Sequence, residues 1–221
     1  MNSSEVKMED NVIKTGTTTV GIICKDSIVL AADKRATLGG GYIINKKVEK
    51  ITIVNDNVAV TMAGTVSDAQ LVIKLLKSEL QIKQMRKEDR LSTKEAANLL
   101  GRMVYQNIRK FSTIPGVSQF ILAGRDDEGI HLYDIFPDGS VTKCDEYVAS
   151  GSGSMLGAFP ILDGYYKKDM TTEEGMKLAV KAINAALQRD NASGDGFDIV
   201  VIDKDKIKKV MTKEFETKLT L

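Results

Sequence analysis

From Thr17 onward the apolar positions of the chain recur with period two. "TTTVGIIC" and "SIVLAAD" are short apolar runs separated by Lys25-Asp26, which predicts a β-hairpin. "GGGYIIN", "KITIV" and "VAVTMAG" continue the strands, with a glycine loop before the first and the turn "NDN" between the last two. At Val66 the period changes. Val72, Leu76 and Leu80 recur every four residues with Ile73 beside them, which predicts an amphipathic helix to about Lys87. "LSTKEAANLLGRMVYQNIRKF" predicts a second helix, opened by a capping box of Ser92 and Glu95. Strands return in "SQFILAG", "GIHLYDIF" and "VTKCDEYVAS". Two more helices follow, "MLGAFPILDGYY" and "TTEEGMKLAVKAINAALQRD", the latter capped by Thr171 and Glu174. "FDIVVID" and "KIKKVM" close the set as strands.

The order is strands, two helices, strands, two helices, strands. A parallel sheet would need strict βαβ alternation, which is absent. Hairpin blocks with paired helices predict an α+β fold: two antiparallel sheets face to face, with a helix pair on each outer face. This is a four-layer α-β-β-α sandwich.

Composition narrows the function. The 221 residues fit one domain, and a hydrophobic share of 43% supplies its core. The formal net charge of +1 is spread over scattered basic residues, which argues against nucleic acid or a membrane surface as partner. No apolar run is long enough for a membrane span. Cys24 and Cys144 have no metal-ligand spacing, and Cys24 lies in an apolar run as a core residue. A reducing cytoplasm is the expected setting. The first sixteen residues, "MNSSEVKMEDNVIKTG", are polar and lack a signal-peptide core. They are a tail or a propeptide.

Three motifs invite chemical readings. "GSGSMLG" places Gly151, Gly153 and Gly157 between a strand and a helix, but its spacing is G-x-G-x-x-x-G and its context is not βαβ, so no dinucleotide site is expected. His131 is the lone histidine and sits in a strand, where no Ser-His-Asp or Cys-His set can form around it. A hydrolase built on this chain needs another base. The triplet Thr17-Thr18-Thr19 behind Gly16 offers one. A threonine hydroxyl is a weak nucleophile, and a free α-amino group, with a reference pKa of about 7.7–8.0, is basic near neutral pH. A threonine made N-terminal carries nucleophile and base together. Such an enzyme is off until the Gly16–Thr17 bond is cut, and glycine before the cut lets the chain take a strained turn there.

At these residues the sequence resembles the β-subunits of the proteasome core particle, especially the archaeal type. "TGTTTVG" resembles the family's processing site and first strand, "AADKRAT" its second strand and turn, and "TMAGTVSDAQ" its oxyanion segment. "ASGSGSMLG" and "RDNASGDGFDIVVI" resemble two later signatures, so the resemblance covers nearly the whole chain from Thr17. It implies residues 1–16 as a propeptide removed on maturation and 17–221 as one catalytic domain of the N-terminal nucleophile class.

The resemblance assigns roles. Thr17 is the nucleophile. Asp33 holds the catalytic lysine. Ser152, Asp190 and Ser193 orient the threonine amine, and the backbone N–H of Gly64 stabilises the oxyanion. Two lysines compete for the catalytic place. Lys47 ends the literal Lys-Lys pair, whereas Lys50 enters "KITIV" at the matching position and is favoured. Ala36, Val48, Met62 and Gln70 fall near the pocket for the residue before the cut, and Thr37 and Val66 offer backbone groups to an extended peptide. A pocket of Ala, Val and Met without a charge partner predicts cleavage after large hydrophobic residues. The implied enzyme is a threonine endopeptidase that needs no cofactor and no metal. Its implied setting is a homo- or hetero-heptameric β-ring stacked with α-subunits and fed unfolded chains by an ATPase. The rival readings are a non-catalytic β-subunit of the same ring, marked by loss of Thr17 or its partners, and a bacterial two-ring ATP-dependent peptidase, which "RDNASG" fits less well.

Overall fold

The computed structural model describes residues 16–38, 41–86, 91–112 and 115–215. The expected propeptide up to Thr15, the first two glycines of the Gly39–Gly41 run and the end of the first predicted helix at Lys87 lie outside the described residues.

Strands β1 (Thr19–Ile23) and β2 (Ser27–Asp33) form the predicted hairpin. A short ribbon follows, β3 (Ala36–Leu38) with β4 (Tyr42–Asn45), then β5 (Ile51–Asn55), β6 (Val58–Thr61) and β7 (Ala63–Gly64). Helices α1 (Val66–Arg86) and α2 (Thr93–Ile108) lead to β8 (Ser118–Asp126), β9 (Gly129–Ile135), β10 (Val141–Cys144) and β11 (Tyr147–Ser150). Helices α3 (Phe159–Tyr165) and α4 (Thr172–Leu187) precede β12 (Gly196–Asp203) and β13 (Ile207–Glu214). One sheet has the order β11-β1-β2-β12-β13 and the other β10-β9-β8-β6-β5, with β7 also on β8; every pairing is antiparallel.

Both sheets are covered on both faces, and the period of two shows why the sequence allows it. In β2, Ile28, Leu30 and Ala32 pack between the sheets, while Val29 and Ala31 pack toward α3 and α4. In β8, Ile121 and Ala123 face the other sheet, while Phe120 and Leu122 meet α1 and α2. A strand buried on both sides must be apolar at every step, as these are. Val72, Leu76 and Leu80 are the buried stripe of α1, and both predicted capping boxes are formed. Full burial of each such aliphatic side chain stabilises the fold by about 1.5–3 kcal/mol.

Two predicted elements differ. "VTKCDEYVAS" reads as one strand, but β10 and β11 belong to different sheets. The chain crosses between the layers at Asp145-Glu146, whose exposed carboxylates stay in water at the crossing. "MLGAFPILDGYY" begins as a π-helical turn, Ser154–Ala158, before α3. Pro160 lacks the backbone N–H that an α-helix would donate to Leu156.

Antiparallel connectivity gathers one set of strand ends. The start of β1, the ends of β2 and β11 and the start of β12 are neighbours in one sheet. The start of β5 and the end of β6 are paired in the other. The polar residues singled out from the sequence lie at this end of the sandwich.

Candidate active site

β1 begins at Thr19, so Thr17 and Thr18 stand just ahead of the strand. Thr18 N–H donates to Asp33 Oδ1 at 2.9 Å, and Lys50 Nζ donates to the same oxygen at 2.7 Å. Asp33 Oδ2 accepts from Arg35 N–H at 3.1 Å and Gly194 N–H at 3.0 Å. Four donors on one carboxylate fix the end of β2, the turn after it and the loop before β12 as one unit. The Asp33 and Lys50 side chains are almost wholly buried, at 0% and 3% exposure. Burial pushes the Asp33 carboxyl up and pulls the Lys50 ammonium down from their ordinary values, and each opposes the other's shift through its charge and hydrogen bond. A carboxylate holding four donors acts as an acceptor that positions its neighbours. Lys47 is elsewhere: it is largely exposed and pairs with Glu214 at 2.6 Å. Of the two competing lysines, Lys50 is the one beside Asp33.

Thr17 Oγ1 donates to the carbonyl of Gly16 at 2.7 Å, and Thr17 N–H donates to Ser152 Oγ at 3.2 Å. Ser152 Oγ in turn donates to Asp190 Oδ2 at 2.6 Å, and Ser193 Oγ donates to that oxygen at 2.7 Å. Ser193 reaches Thr18 Oγ1, at 2.7 Å, and not Thr17. The three residues expected to hold the Thr17 nitrogen therefore divide. Ser152 touches it, Asp190 acts through Ser152, and Ser193 holds the next residue.

Close approach dictates the glycines. Gly151 has φ +91°, and a Cβ there would overlap the Thr17 carbonyl. The glycine-rich loop is thus a cradle for the threonine segment, which accounts for its spacing without a nucleotide. Gly64 has φ +100°, and a Cβ there would overlap the Val117 carbonyl. Gly16 does not adopt a left-handed φ. Its need for glycine is steric instead of conformational, because a Cβ would overlap Ala192.

A cleft of about 630 Å³ opens beside these residues, lined by Ala36, Val48, Met62, Val66 and Gln70 among others. Thr37 is not in its lining; its Oγ1 accepts from Gly16 N–H at 3.2 Å. The cleft is less apolar than the sequence suggests, because Lys47, Glu49, Lys74 and Lys77 also line it.

Three residues of this site were not assigned a role from sequence. Thr18 supplies the N–H on Asp33 and the hydroxyl on Ser193. Arg35 forms a fork on Asp195, with Nε 2.7 Å from Oδ2 and Nη2 3.2 Å from Oδ1, and its Nη1 donates to the Asn191 carbonyl at 2.9 Å. Asp195 adopts φ +63°, so the fork pins a strained loop residue. Their signal was adjacency, since Arg35 and Asp195 each lie two residues beyond an assigned one, Asp33 and Ser193. Among the described residues no cluster of metal-ligating side chains occurs, and no helix is long and apolar enough to cross a membrane.

A family model described as "Proteasome subunit" matches residues 13–202. A "Proteasome subunit beta" of Ferroglobus placidus is 39% identical over 209 residues, covering 95% of this chain and 96% of the relative. One from Archaeoglobus profundus is 41% identical over 199 residues, covering 90% and 89%, and one from Methanobrevibacter smithii is 36% identical over 214, covering 93% and 100%.

Proposed function

The chain belongs to the proteasome subunit family, of the archaeal β type, and from that premise we propose that it is a catalytic β-subunit, a threonine endopeptidase made as a precursor. The observation that carries the proposal is the placement of Thr17. Its hydroxyl lies on the Gly16 carbonyl, its nitrogen on Ser152, and its neighbour Thr18 on the buried Asp33–Lys50 pair.

Maturation follows from that placement. Thr17 Oγ attacks the Gly16 carbonyl carbon, the Gly16–Thr17 amide breaks, and the acyl group moves from nitrogen to oxygen. Water hydrolyses the resulting ester. Residues 1–16 leave with a new carboxylate on Gly16, and Thr17 gains a free amine. That amine is then the general base, accepting the Oγ proton through a water as Oγ attacks a substrate carbonyl. The Gly64 N–H receives the oxyanion. The amine returns its proton to the leaving nitrogen, and water releases the acyl group. Ser152 and Asp190 orient the amine, and Lys50 lowers the cost of negative charge on Oγ. The aliphatic walls Ala36, Val48, Met62 and Val66 favour large hydrophobic side chains before the cut. Ring assembly with α-subunits, supply by an ATPase and a cytoplasmic setting belong to the same proposal.

The test is the intact mass of the assembled protein with peptide hydrolysis on the same sample. The expected mature chain starts at Thr17. Thr17→Ala keeps its leader, assembles and hydrolyses nothing. An active particle that retains residues 1–16 sinks the mechanism. Peptides with a basic or acidic residue before the cut outperforming hydrophobic ones would sink the pocket reading.

A further inference from the structure

We propose that strand β13 sets the wall of the substrate cleft through an ionic clamp on residues 46–50, with Lys209 and Glu214 as positioning residues for peptide binding; this rests on the peptidase reading above. Residues 46–50 join β4 to β5 outside any strand. They carry Lys47, Val48 and Glu49 of the cleft lining, and they end on Lys50. Val48 N–H donates to the Lys34 carbonyl at 3.0 Å, and the Lys50 carbonyl accepts from Met62 N–H at 2.9 Å.

The side chains of this segment are gripped from β13. Glu214 pairs with Lys47 at 2.6 Å. Lys209 Nζ donates to Glu49 Oε1 at 3.0 Å and lies 3.2 Å from Asp198 Oδ1. Asp198, 2% exposed, also accepts from Thr212 Oγ1 at 2.7 Å and pairs with the buried Lys34 at 3.3 Å. The contacts close a ring: Val48 on Lys34, Lys34 on Asp198, Asp198 on Lys209, Lys209 on Glu49, and Glu49 beside Val48. An isolated surface pair contributes little, but here the central carboxylate is desolvated and shared, which limits screening. Lys50 is held separately by Asp33. The clamp therefore acts on the cleft wall and leaves the chemistry to the buried pair. Loss of ground-state and transition-state binding alike raises KM without changing kcat.

The experiment compares two peptides, with leucine or alanine before the cut, on the assembled protein. Lys209→Ala is expected to raise KM for the leucine peptide about fivefold, with kcat within about twofold and the alanine peptide little affected. Lys209→Arg restores KM, and Lys208→Ala on the same strand leaves it unchanged. Glu214→Gln raises KM about twofold, because its partner Lys47 is mostly in water. Adding Glu49→Gln to Lys209→Ala brings no further loss, as the two share one contact. Unchanged KM, a parallel fall in kcat for both peptides, or failure of Lys209→Arg to rescue overturns the clamp. Amide exchange of residues 46–50, read by mass spectrometry, speeds up in Lys209→Ala whether or not the protein cleaves peptides. Unchanged exchange overturns the clamp by itself, whereas a wild type that hydrolyses neither peptide overturns the peptidase reading alone.

Discussion

Asp33 and Asp134 are both buried aspartates on core strands, at 1% and 6% exposure, and they meet opposite fates. Asp33 receives four donors, one of them the Lys50 ammonium. Asp134, on β9 opposite Ile121 and Thr142, accepts a side-chain bond from Gln119 Nε2 at 3.2 Å, and among the described residues no cation pairs with it. Burial pushes the Asp134 carboxyl up to about 6, and the Gln119 contact and the Ile135 backbone N–H offset only part of that. Burial costs a carboxylate the same kind of desolvation in both places. The number and charge of its donors decide whether it becomes an anchor or a weak point.

The comparison breaks hardest at Asp33. In Asp33→Asn two of the four donors would face the amide NH2, which cannot accept, and Lys50 would be left as a buried ammonium without an anion. A loss of about 3–5 kcal/mol of stability and at least about 100-fold of peptidase activity is expected, read by denaturant titration and peptide hydrolysis. Lys50→Met is milder in the fold, about 2–4 kcal/mol, because three backbone N–H groups still hold Asp33. On the proposed mechanism its leader removal and peptide hydrolysis should both fail, since Lys50 is the cation assigned to balance charge on Thr17 Oγ.

Asp134→Asn should do the reverse and stabilise. The folded state keeps the Asp134 proton to about pH 6, while an unfolded aspartate releases it near 3.8. Between those values the folded state binds more protons, so stability falls as pH rises through the window. The contribution is fully present below about pH 4 and is lost above about pH 6, where the difference amounts to about 3 kcal/mol. Asparagine can still accept from Gln119 and has no charge to bury. The variant should therefore melt higher than the wild type at pH 7 and equally at pH 4. An equal difference at both pH values would mean that packing, and not charge, separates the two.

The fold was legible because its central strands are buried on two faces and its helices on one. Runs such as "SIVLAAD" and stripes such as Val72, Leu76 and Leu80 leave few alternatives. The breaks were less legible. Asp145-Glu146 moves the chain from one sheet to the other, yet two acids in a strand-like run carry no sign of which layer follows. In the site, residues whose role depends on chain-local pattern stood out: Thr17 behind a glycine, Gly64 before a helix, the "GSGS" loop. Roles fixed by long-range contact, such as Lys50 on Asp33 and Ser152 on Thr17, came only through the resemblance, and some did not come at all. Arg35 matters through Asp195, 160 residues away, and Ser193 serves Thr18 instead of Thr17. Two of the cleft's lysines, Lys74 and Lys77, come from α1, whose exposed face reads in sequence as ordinary solvated charge.

Asp126 supplies the smallest effects and the intermediate case between the two buried aspartates. Burial raises its carboxyl, but the backbone N–H groups of Thr93 and Glu128, at 2.7 and 3.0 Å, outweigh that and hold it below the ordinary range. The Thr93 bond also satisfies a free N–H at the start of α2. Asp126→Ala orphans both donors and should cost about 1–2 kcal/mol. His131 adds only a third contact, Nε2 to Oδ1 at 3.1 Å, on a carboxylate already satisfied by the backbone. His131→Gln should therefore change stability by less than about 1 kcal/mol and leave peptide hydrolysis unaltered. A larger loss would show that the one histidine of the chain is a structural partner equal to the backbone donors. It would then be the number of donors, and not their backbone origin, that separates Asp126 from Asp134.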